Sequence, residues 1–276
     1  MARSILITGC SSGIGLDAAR TLSARGWQVF ASCRNPDDCA RLTAQGLTSP
    51  HLDYDDPDSL SRALEAVLAA TDGRLDALFN NGAFALPCAV EDLPRDGLRA
   101  IFETNLFGVH DLTRRVIPVM RAQGSGRIVN CSSVLGFVPS KWRGAYVASK
   151  YALEGLTDAM RMELAEDTAI RVALIEPGPI DTPFRANARS AFERWVDWEG
   201  SARAQQYRDQ LLPRLYADAM RDRFQKPPSA VTSRLIHALE SPRPKSRYFV
   251  TTATWIACGL RRLLPTAALD RVLSRT

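Results

Sequence analysis

Histidine is nearly missing from this chain: three in 276 residues, His51, His110 and His237. None stands near another or near a cysteine at ligand spacing, so no metal site is expected. The six cysteines, at positions 10, 33, 39, 88, 131 and 258, are scattered and form no Cys-x-x-Cys. That argues against a zinc site or a disulfide framework and for reduced thiols in a cytosol-like compartment. No apolar run is long enough to cross a bilayer; the best candidate, residues 248–260, stops at Arg261-Arg262. Core packing is the expected role of that stretch, ahead of a membrane surface or a subunit contact. At the other end Ile5-Leu6-Ile7 leads straight into a glycine turn, with no room for a signal peptide, so cytoplasmic residence is expected. Repeats, low-complexity tracts and Pro/Gly/Ser-rich linkers are absent too. The charge of +5 is mild and its signs interleave, so no nucleic-acid partner is expected.

What is present is a well-patterned single chain, 46% hydrophobic, enough for one domain over residues 1–276 with a buried core. Residues 4–8 are a β-branched run ending at Gly9. Cys10-Ser11-Ser12-Gly13-Ile14-Gly15 follows, then a helical pattern over residues 16–25 that Gly26 stops. Strand, glycine turn and helix together let backbone N–H groups and a helix N-terminus approach a pyrophosphate. The spacing is Gly-x-x-x-Gly-x-Gly, and Gly9, Ser11, Ser12, Gly13, Ile14 and Gly15 form the expected cradle. The second strand, residues 28–32, ends Ala31-Ser32-Cys33-Arg34, with no acid before Asp37. Folds of this kind that select NAD use an acid here; Arg34 favours the 2′-phosphate of NADP, with a solvated surface arginine as the alternative.

The alternation continues. Residues 48–52 read as a strand leading to Asp53, 57–70 as a helix, and 75–79 as a strand before Asn80-Asn81-Gly82-Ala83. Residues 98–120 read as one long helix containing Asn105, with Pro118 expected to kink or loosen its last turns. Strand 127–131 precedes Ser132-Ser133, and helix 145–164 carries Tyr146 and Lys150. Strand 171–175 ends in Glu176-Pro177-Gly178-Pro179-Ile180-Asp181-Thr182. Such alternation predicts an α/β fold: a Rossmann-type doubly wound parallel sheet, three layers αβα, with ligands outside the carboxyl ends of the strands. Tyr146 and Lys150, four apart, share one helix face. The ammonium is expected to lower the phenol's pKa, making it a proton donor and acceptor near neutrality.

In these residues the chain resembles the short-chain dehydrogenase/reductase family, motif by motif over residues 4–182 and by length and pattern beyond. Thr8-Gly9-x-x-x-Gly13-Ile14-Gly15 matches its cofactor loop, Asn105 its asparagine, and Tyr146 with Lys150 its Tyr-x-x-x-Lys. The family's serine, thirteen residues before the tyrosine, selects Ser133 over Ser132. Pro177-Gly178 with Thr182 resembles its nicotinamide-side loop. One departure is Asn80-Asn81-Gly82-Ala83, where the family usually has Asn-Asn-Ala-Gly. Locally the chain is similar to the 17β-hydroxysteroid and retinol dehydrogenase group and to bacterial NADP-dependent aldehyde reductases.

The resemblance implies hydride transfer between NADP (NAD possible) and a carbonyl carbon. Tyr146 would protonate the oxygen, and Lys150 would tune the phenol and hold the nicotinamide ribose. Ser133 would orient the substrate, and Asn105 would place a relay water. Pro177, Gly178, Ile180 and Thr182 would hold the carboxamide, and Asp53, Asn81 and Gly82 the adenosine side. Residues 183–227 would cover the substrate and 228–276 complete the sheet and tail. The aromatics Phe184, Trp195, Trp198, Tyr207 and Tyr216 either line an apolar pocket with Leu135, Phe137 and Val138 or simply pack. A small apolar carbonyl or alcohol is the expected substrate. Arg185, Arg189, Arg194 and Arg203, interspersed with Glu193, Asp197 and Glu199, read as a solvated face. Pairing through residues 105–120 and 145–164 as a homodimer or homotetramer is expected. Alcohol oxidation, and a non-enzymatic dinucleotide sensor or scaffold, are the alternatives.

Overall fold

Along β1 (Ser4–Ile7) successive side chains take opposite faces: Ile5 and Ile7 join one apolar cluster and Leu6 the other. β3 (Ala77–Asn80), β4 (Gly126–Cys131) and β5 (Ile170–Glu176) repeat the division. Phe79, Val129 and Ile175 lie on the first face, Leu78, Ile128 and Val172 on the second. Strands buried on both faces need apolar residues at every position, hence their unbroken apolar runs. The structure, a computed structural model, describes residues 2–167, 169–217 and 223–274. Its sheet is wholly parallel in the order β2-β1-β3-β4-β5-β6, with β2 (Gln28–Ala31) and β6 (Arg247–Phe249) at the edges.

Helices cover both faces. α1 (Gly13–Ala24), α2 (Pro36–Ala44) and α10 (Ser229–Glu240) close the first through Leu22, Leu42 and Leu235. α3 (Pro57–Ala69), α5 (Gly108–Ala122) and α6 (Gly144–Asp167) close the second through Leu60, Leu112 and Leu153. The chain runs outward from β1 to β2 and then crosses back to β3. That reversal opens a crevice at the carboxyl ends of β1 and β3. This is the expected doubly wound α/β fold.

Three local expectations are corrected. Residues 48–52 form no strand, only the isolated bridges Phe30–Thr48 and Cys33–His51, because Pro50 between them has no N–H for a ladder. The helix expected over 98–120 is α4 (Arg95–Phe102), a π-helical turn at Glu103–Phe107, then α5, which runs on past Pro118 to Ala122. A π turn inserts one residue into the helical ladder and so re-aims its neighbours; Asn105 sits inside it. The apolar stretch near the C-terminus does not all enter the core. α11 (Thr252–Leu263) buries Thr254 and Ala257 but leaves Trp255 61% and Ile256 47% exposed. Its inward face is lined by small residues, so the large ones turn outward. α12 (Thr266–Leu273) follows.

Between β5 and α10 lie α7 (Phe184–Trp195), a turn α8 (Ala204–Gln206), a π turn at Tyr207–Leu211 and α9 (Leu212–Leu215). They build a third apolar cluster with Leu86, Ile101 and Tyr146. Fully buried Tyr207 fastens this segment: its hydroxyl donates to Asp92 at 2.7 Å and accepts from Ala89 N–H at 2.9 Å. Residues 218–222 of the expected covering segment lie outside the described residues. Among the described residues no helix is long and apolar enough to cross a membrane, and no group of histidine, cysteine and acid could hold a metal ion.

Gly108, at the head of α5, lies against the backbone of Tyr54: a Cβ there would come within 2.5 Å of the Tyr54 carbonyl oxygen and 2.8 Å of its Cα. Alanine's helix preference over glycine is worth about 1 kcal/mol. Overpacking against backbone costs about 1–3 kcal/mol, which wins. Gly108→Ala is therefore expected to lower the thermal unfolding midpoint by several degrees. An unchanged or raised midpoint would show that α5 and the Tyr54 segment can part.

Candidate active site

The glycine turn is shaped by close approach. Gly9 (φ 68°) and Gly13 (φ 55°) occupy the left-handed region. A Cβ on Gly9 would stand 2.8 Å from Gly82 Cα, and one on Gly15 would collide with the Gly9 carbonyl. Ser12 caps α1 without using its side chain, and the first turn contains no acid. The N–H groups at this helix start therefore face the crevice free of local acceptors, which suits an anion. Ser11 and Ile14 lie in the same turn. A dinucleotide's pyrophosphate fits this bare backbone and helix terminus.

A chain of buried hydrogen bonds runs beneath the turn, across the carboxyl ends of the strands. Thr8 Oγ1 accepts from Asn81 N–H (2.9 Å) and Gly82 N–H (3.1 Å) and lies 2.8 Å from Tyr54 Oη. Tyr54 Oη donates its single proton to Asn80 Oδ1 at 2.8 Å, so it accepts from Thr8. Asn80 Nδ2 donates to Asn130 Oδ1 (2.8 Å) and Thr113 Oγ1 (2.9 Å), and Asn130 Nδ2 to Thr157 Oγ1 (2.9 Å). Asn81 spends its amide on the Thr8 and Gly9 carbonyls, at 3.0 and 3.2 Å. It braces the glycine turn with its amide nitrogen. The Asn-Asn-Gly-Ala order also finds its reason: a Cβ at position 82 would press on the Tyr54 ring at 3.1 Å. Asp53 is half-buried at the crevice rim, its carboxylate accepting from Asp55 N–H at 3.1 Å.

The four residues expected to handle protons converge. Tyr146 is 8% exposed on the first turns of α6, and Lys150, one turn on, is 2% exposed. Lys150 Nζ donates to the Cys131 carbonyl at 2.8 Å and lies 5.6 Å from the Tyr146 ring centroid. Ser133, just past β4, interacts with the phenol through its hydroxyl, while Ser132 faces Glu154 and Gly136. Extended backbone sends the two serines to opposite sides, which decides between them. Asn105 is fully buried: Oδ1 accepts from Phe84 N–H (3.0 Å), and Nδ2 donates to the Phe84 carbonyl (2.9 Å) and Ser149 Oγ (3.1 Å). Its two amide protons are spent bracing the loop after β3 against α6.

The expected electrostatics are reversed. Burial, with Cys131 behind it, pushes the Tyr146 phenol well above its ordinary pKa; Ser133 and Arg143 pull the other way without prevailing. Lys150 is itself pushed down by burial. Desolvation is the largest influence on each group, so the phenol is biased toward its protonated form.

Past the carboxyl end of β2 Arg34 is exposed, and its guanidinium has no hydrogen-bond partner among the described residues; its carbonyl bonds His51 Nε2 at 2.9 Å. Sequence reasoning missed Arg41, which donates to the Ser11 carbonyl at 2.8 Å while pairing with Asp38. Its position two turns along the helix after Arg34 was the available signal. At the other end the loop after β5 closes on the glycine turn. A Cβ on Gly13 would lie 2.9 Å from Thr182 Cγ2, and Ile180 packs beside Ile14 on the first core cluster. Pro177 accepts from Val134 N–H at 2.8 Å, and Gly178 is backed by Thr251. On the substrate side Phe184 meets Tyr146 edge-on at 5.6 Å, with Leu135 in the same cluster. Phe137 turns away and stacks on Phe249 at 5.7 Å.

Comparison with known proteins agrees with this geometry. Over residues 3–193 the chain matches the family described as short chain dehydrogenase. It is 42% identical over 274 residues to the uncharacterized oxidoreductase YbbO of Escherichia coli (strain K12), covering 99% of this chain and 94% of that one. It is 33% identical over 282 residues to retinol dehydrogenase 16 of Homo sapiens, covering 98% and 87%. A short chain dehydrogenase/reductase from Burkholderia phymatum, solved in complex with NAD, shares the fold with a TM-score of 0.79. The identity there is 23%, over 99% of this chain and 95% of that one.

A second group of buried acids adjoins the site. Glu154, one turn after Lys150, and Glu176, at the end of β5, both accept from Arg247 Nη1. Glu154 Oε1, which faces the Ser132 hydroxyl, and Glu176 Oε2 are buried, and a proton shared between the two carboxyls would satisfy Glu176. Burial and the Glu154 charge push the Glu176 carboxyl up to about 8. The native state then holds a proton that the unfolded chain releases near roughly pH 4.3. This stabilisation is complete below that pH and is lost as pH rises through about 8. Thermal melts are expected to show the midpoint falling from pH 5 to 8.5, with a shallower fall in Glu176→Gln. Equal slopes would mean that no proton is shared.

Proposed function

This chain belongs to the short chain dehydrogenase family and is an oxidoreductase; on that premise we propose that it reduces the carbonyl of an apolar aldehyde or ketone at the expense of NADPH, with Tyr146 as general acid. The observation that carries this reading is the buried phenol meeting Phe184 edge-on within an apolar cluster, beside Ser133. The glycine turn and the Pro177–Thr182 loop would hold the dinucleotide, whose chemistry would be donation of a hydride to a carbonyl carbon. Tyr146 Oη gives its proton to the carbonyl oxygen, completing the alcohol and leaving a phenolate. Ser133 donates to that oxygen as charge develops on it, and again to the phenolate afterwards. The Lys150 ammonium, one turn away, stabilises the phenolate by its charge and can return a proton to it. Asn105 acts as a positioning residue, fixing the loop after β3 against α6.

Arg34 supports NADPH over NADH: it is an unpaired guanidinium where an acid would otherwise meet the adenosine ribose. The apolar character of the third cluster supports a substrate with an apolar body. Oxidation of an alcohol is the second reading, favoured by the likeness to a protein named as a retinol dehydrogenase. The same residues serve both directions, because they share one transition state. Assembly through α5 and α6 is the proposed route to an oligomer, with Leu156 and Met162 exposed on the outer face of α6.

Two measurements test this. Titration of the purified protein is expected to show tighter binding of NADPH than NADH, with the preference lost in Arg34→Glu. Equal or better NADH binding overturns the cofactor assignment. With NADPH bound, Tyr146→Phe is expected to lower turnover of a medium-chain aldehyde by about 10²-fold or more while cofactor binding persists, the range general acids contribute. Unchanged turnover in the variant removes Tyr146 from the chemistry.

A further inference from the structure

Arg143 immediately precedes α6, one turn before Tyr146. It is half-buried, yet its guanidinium makes no hydrogen bond and no ion pair among the described residues. The groups that act on it are the Tyr146 phenol and the guanidiniums of Arg185 and Arg214; no carboxylate is among them. Arg185, in the first turn of α7 beside Phe184, is likewise half-buried without a hydrogen-bond or ion-pair partner. The other arginines of this segment behave differently. Arg203 pairs with Glu91, Arg189 lies over the Tyr216 ring and Arg194 over Trp195. The solvated face expected of all four holds for Arg194 and Arg203, which are exposed; Arg189 is half-buried against Tyr216, and Arg185 is half-buried with no such contact.

The placement of Arg143 is enforced by its neighbours. Trp142, just before it, has φ 63°, a left-handed conformation that a bulky aromatic adopts only under constraint. Cys88 N–H donates to the Trp142 carbonyl at 3.1 Å, and the indole stacks on buried Tyr207 at 4.8 Å. Constrained backbone at this point delivers a cation to the edge of an apolar site, next to the phenol. A partly desolvated guanidinium with no counter-ion is costly unless an anion joins it, and its planar fork suits a carboxylate.

We propose that Arg143, seconded by Arg185, anchors a carboxylate of the substrate, so that the carbonyl compound reduced here carries an acid group at the far end of a short apolar chain. This rests on the carbonyl-reductase reading and narrows it. The acid end lies toward α7 and the carbonyl at Tyr146. The apolar carbons between them run along the third cluster.

The test compares 6-oxohexanoate with its methyl ester, using full-length protein and NADPH. The acid is expected to be preferred at least tenfold in kcat/KM, chiefly through KM. Arg143→Gln abolishes the preference, Arg143→Lys retains part of it, and Arg185→Gln weakens it. Adipate, which cannot be reduced, is expected to raise the wild-type unfolding midpoint and not that of Arg143→Gln. Preference for the ester, or equal loss on both substrates in Arg143→Gln, overturns the anchor while leaving the reductase reading intact. If neither compound turns over, the reductase reading fails. The adipate shift then decides the anchor alone: its absence from the wild type, or its persistence in Arg143→Gln, overturns it.

Discussion

One buried hydroxyl holds the crevice together. Thr8 Oγ1, at the end of β1, accepts two backbone N–H groups from the loop after β3 and donates to Tyr54. From Tyr54 the bonds pass through Asn80 and Asn130 to Thr157 on α6, so β1, β3, β4 and the tyrosine-bearing helix share one polar seam. Each member is nearly or wholly out of water. An unsatisfied partner in such a seam costs about 1–3 kcal/mol, more than a typical bond contributes, so its geometry is all-or-none. The glycine turn and the Tyr146 helix are thereby held in fixed relation without touching directly.

The second constraint is desolvation. Burial works against charge on both the phenol and the ammonium, raising the pKa of Tyr146 and lowering that of Lys150. The same burial acts on Glu154 and Glu176, which share Arg247. The Tyr146 phenol and the Glu176 carboxyl are thereby biased toward keeping their protons, close to Lys150. For a reductase that is the useful state, since the acid must arrive loaded. Arg143 and Arg185 stand apart as charges left unpaired in the described residues, close to the Tyr146 end of the site.

Much of this could be read along the chain. Burial on both faces leaves an apolar run, a turn that must pass close to backbone leaves glycine, and a helix leaves its period; each mark is local. The strands, the glycine turn and the paired tyrosine and lysine follow from such marks; the choice of Ser133 over Ser132 came from the resemblance to the family. The order Asn81-Gly82 was visible as a departure, but its reason, the Tyr54 ring twenty-eight positions away, was not.

Where the chain alone misled, the deciding quantity was non-local. The lowered phenol pKa followed correctly from spacing and charge, but the sign is set by how much water the fold removes from each group. The freedom of Asn81 and Asn105 was likewise unreadable, since both amides are consumed by partners distant in sequence. The C-terminal apolar stretch failed for the opposite reason: nothing in its composition says which face meets only small neighbours. Sequence by itself determined the fold class and which residues meet at the strand ends, because backbone geometry and periodicity are local physics. Only the tertiary structure decided protonation, hydrogen-bond allegiance and which arginines stay unpaired, because burial and pairing depend on what the rest of the chain brings alongside.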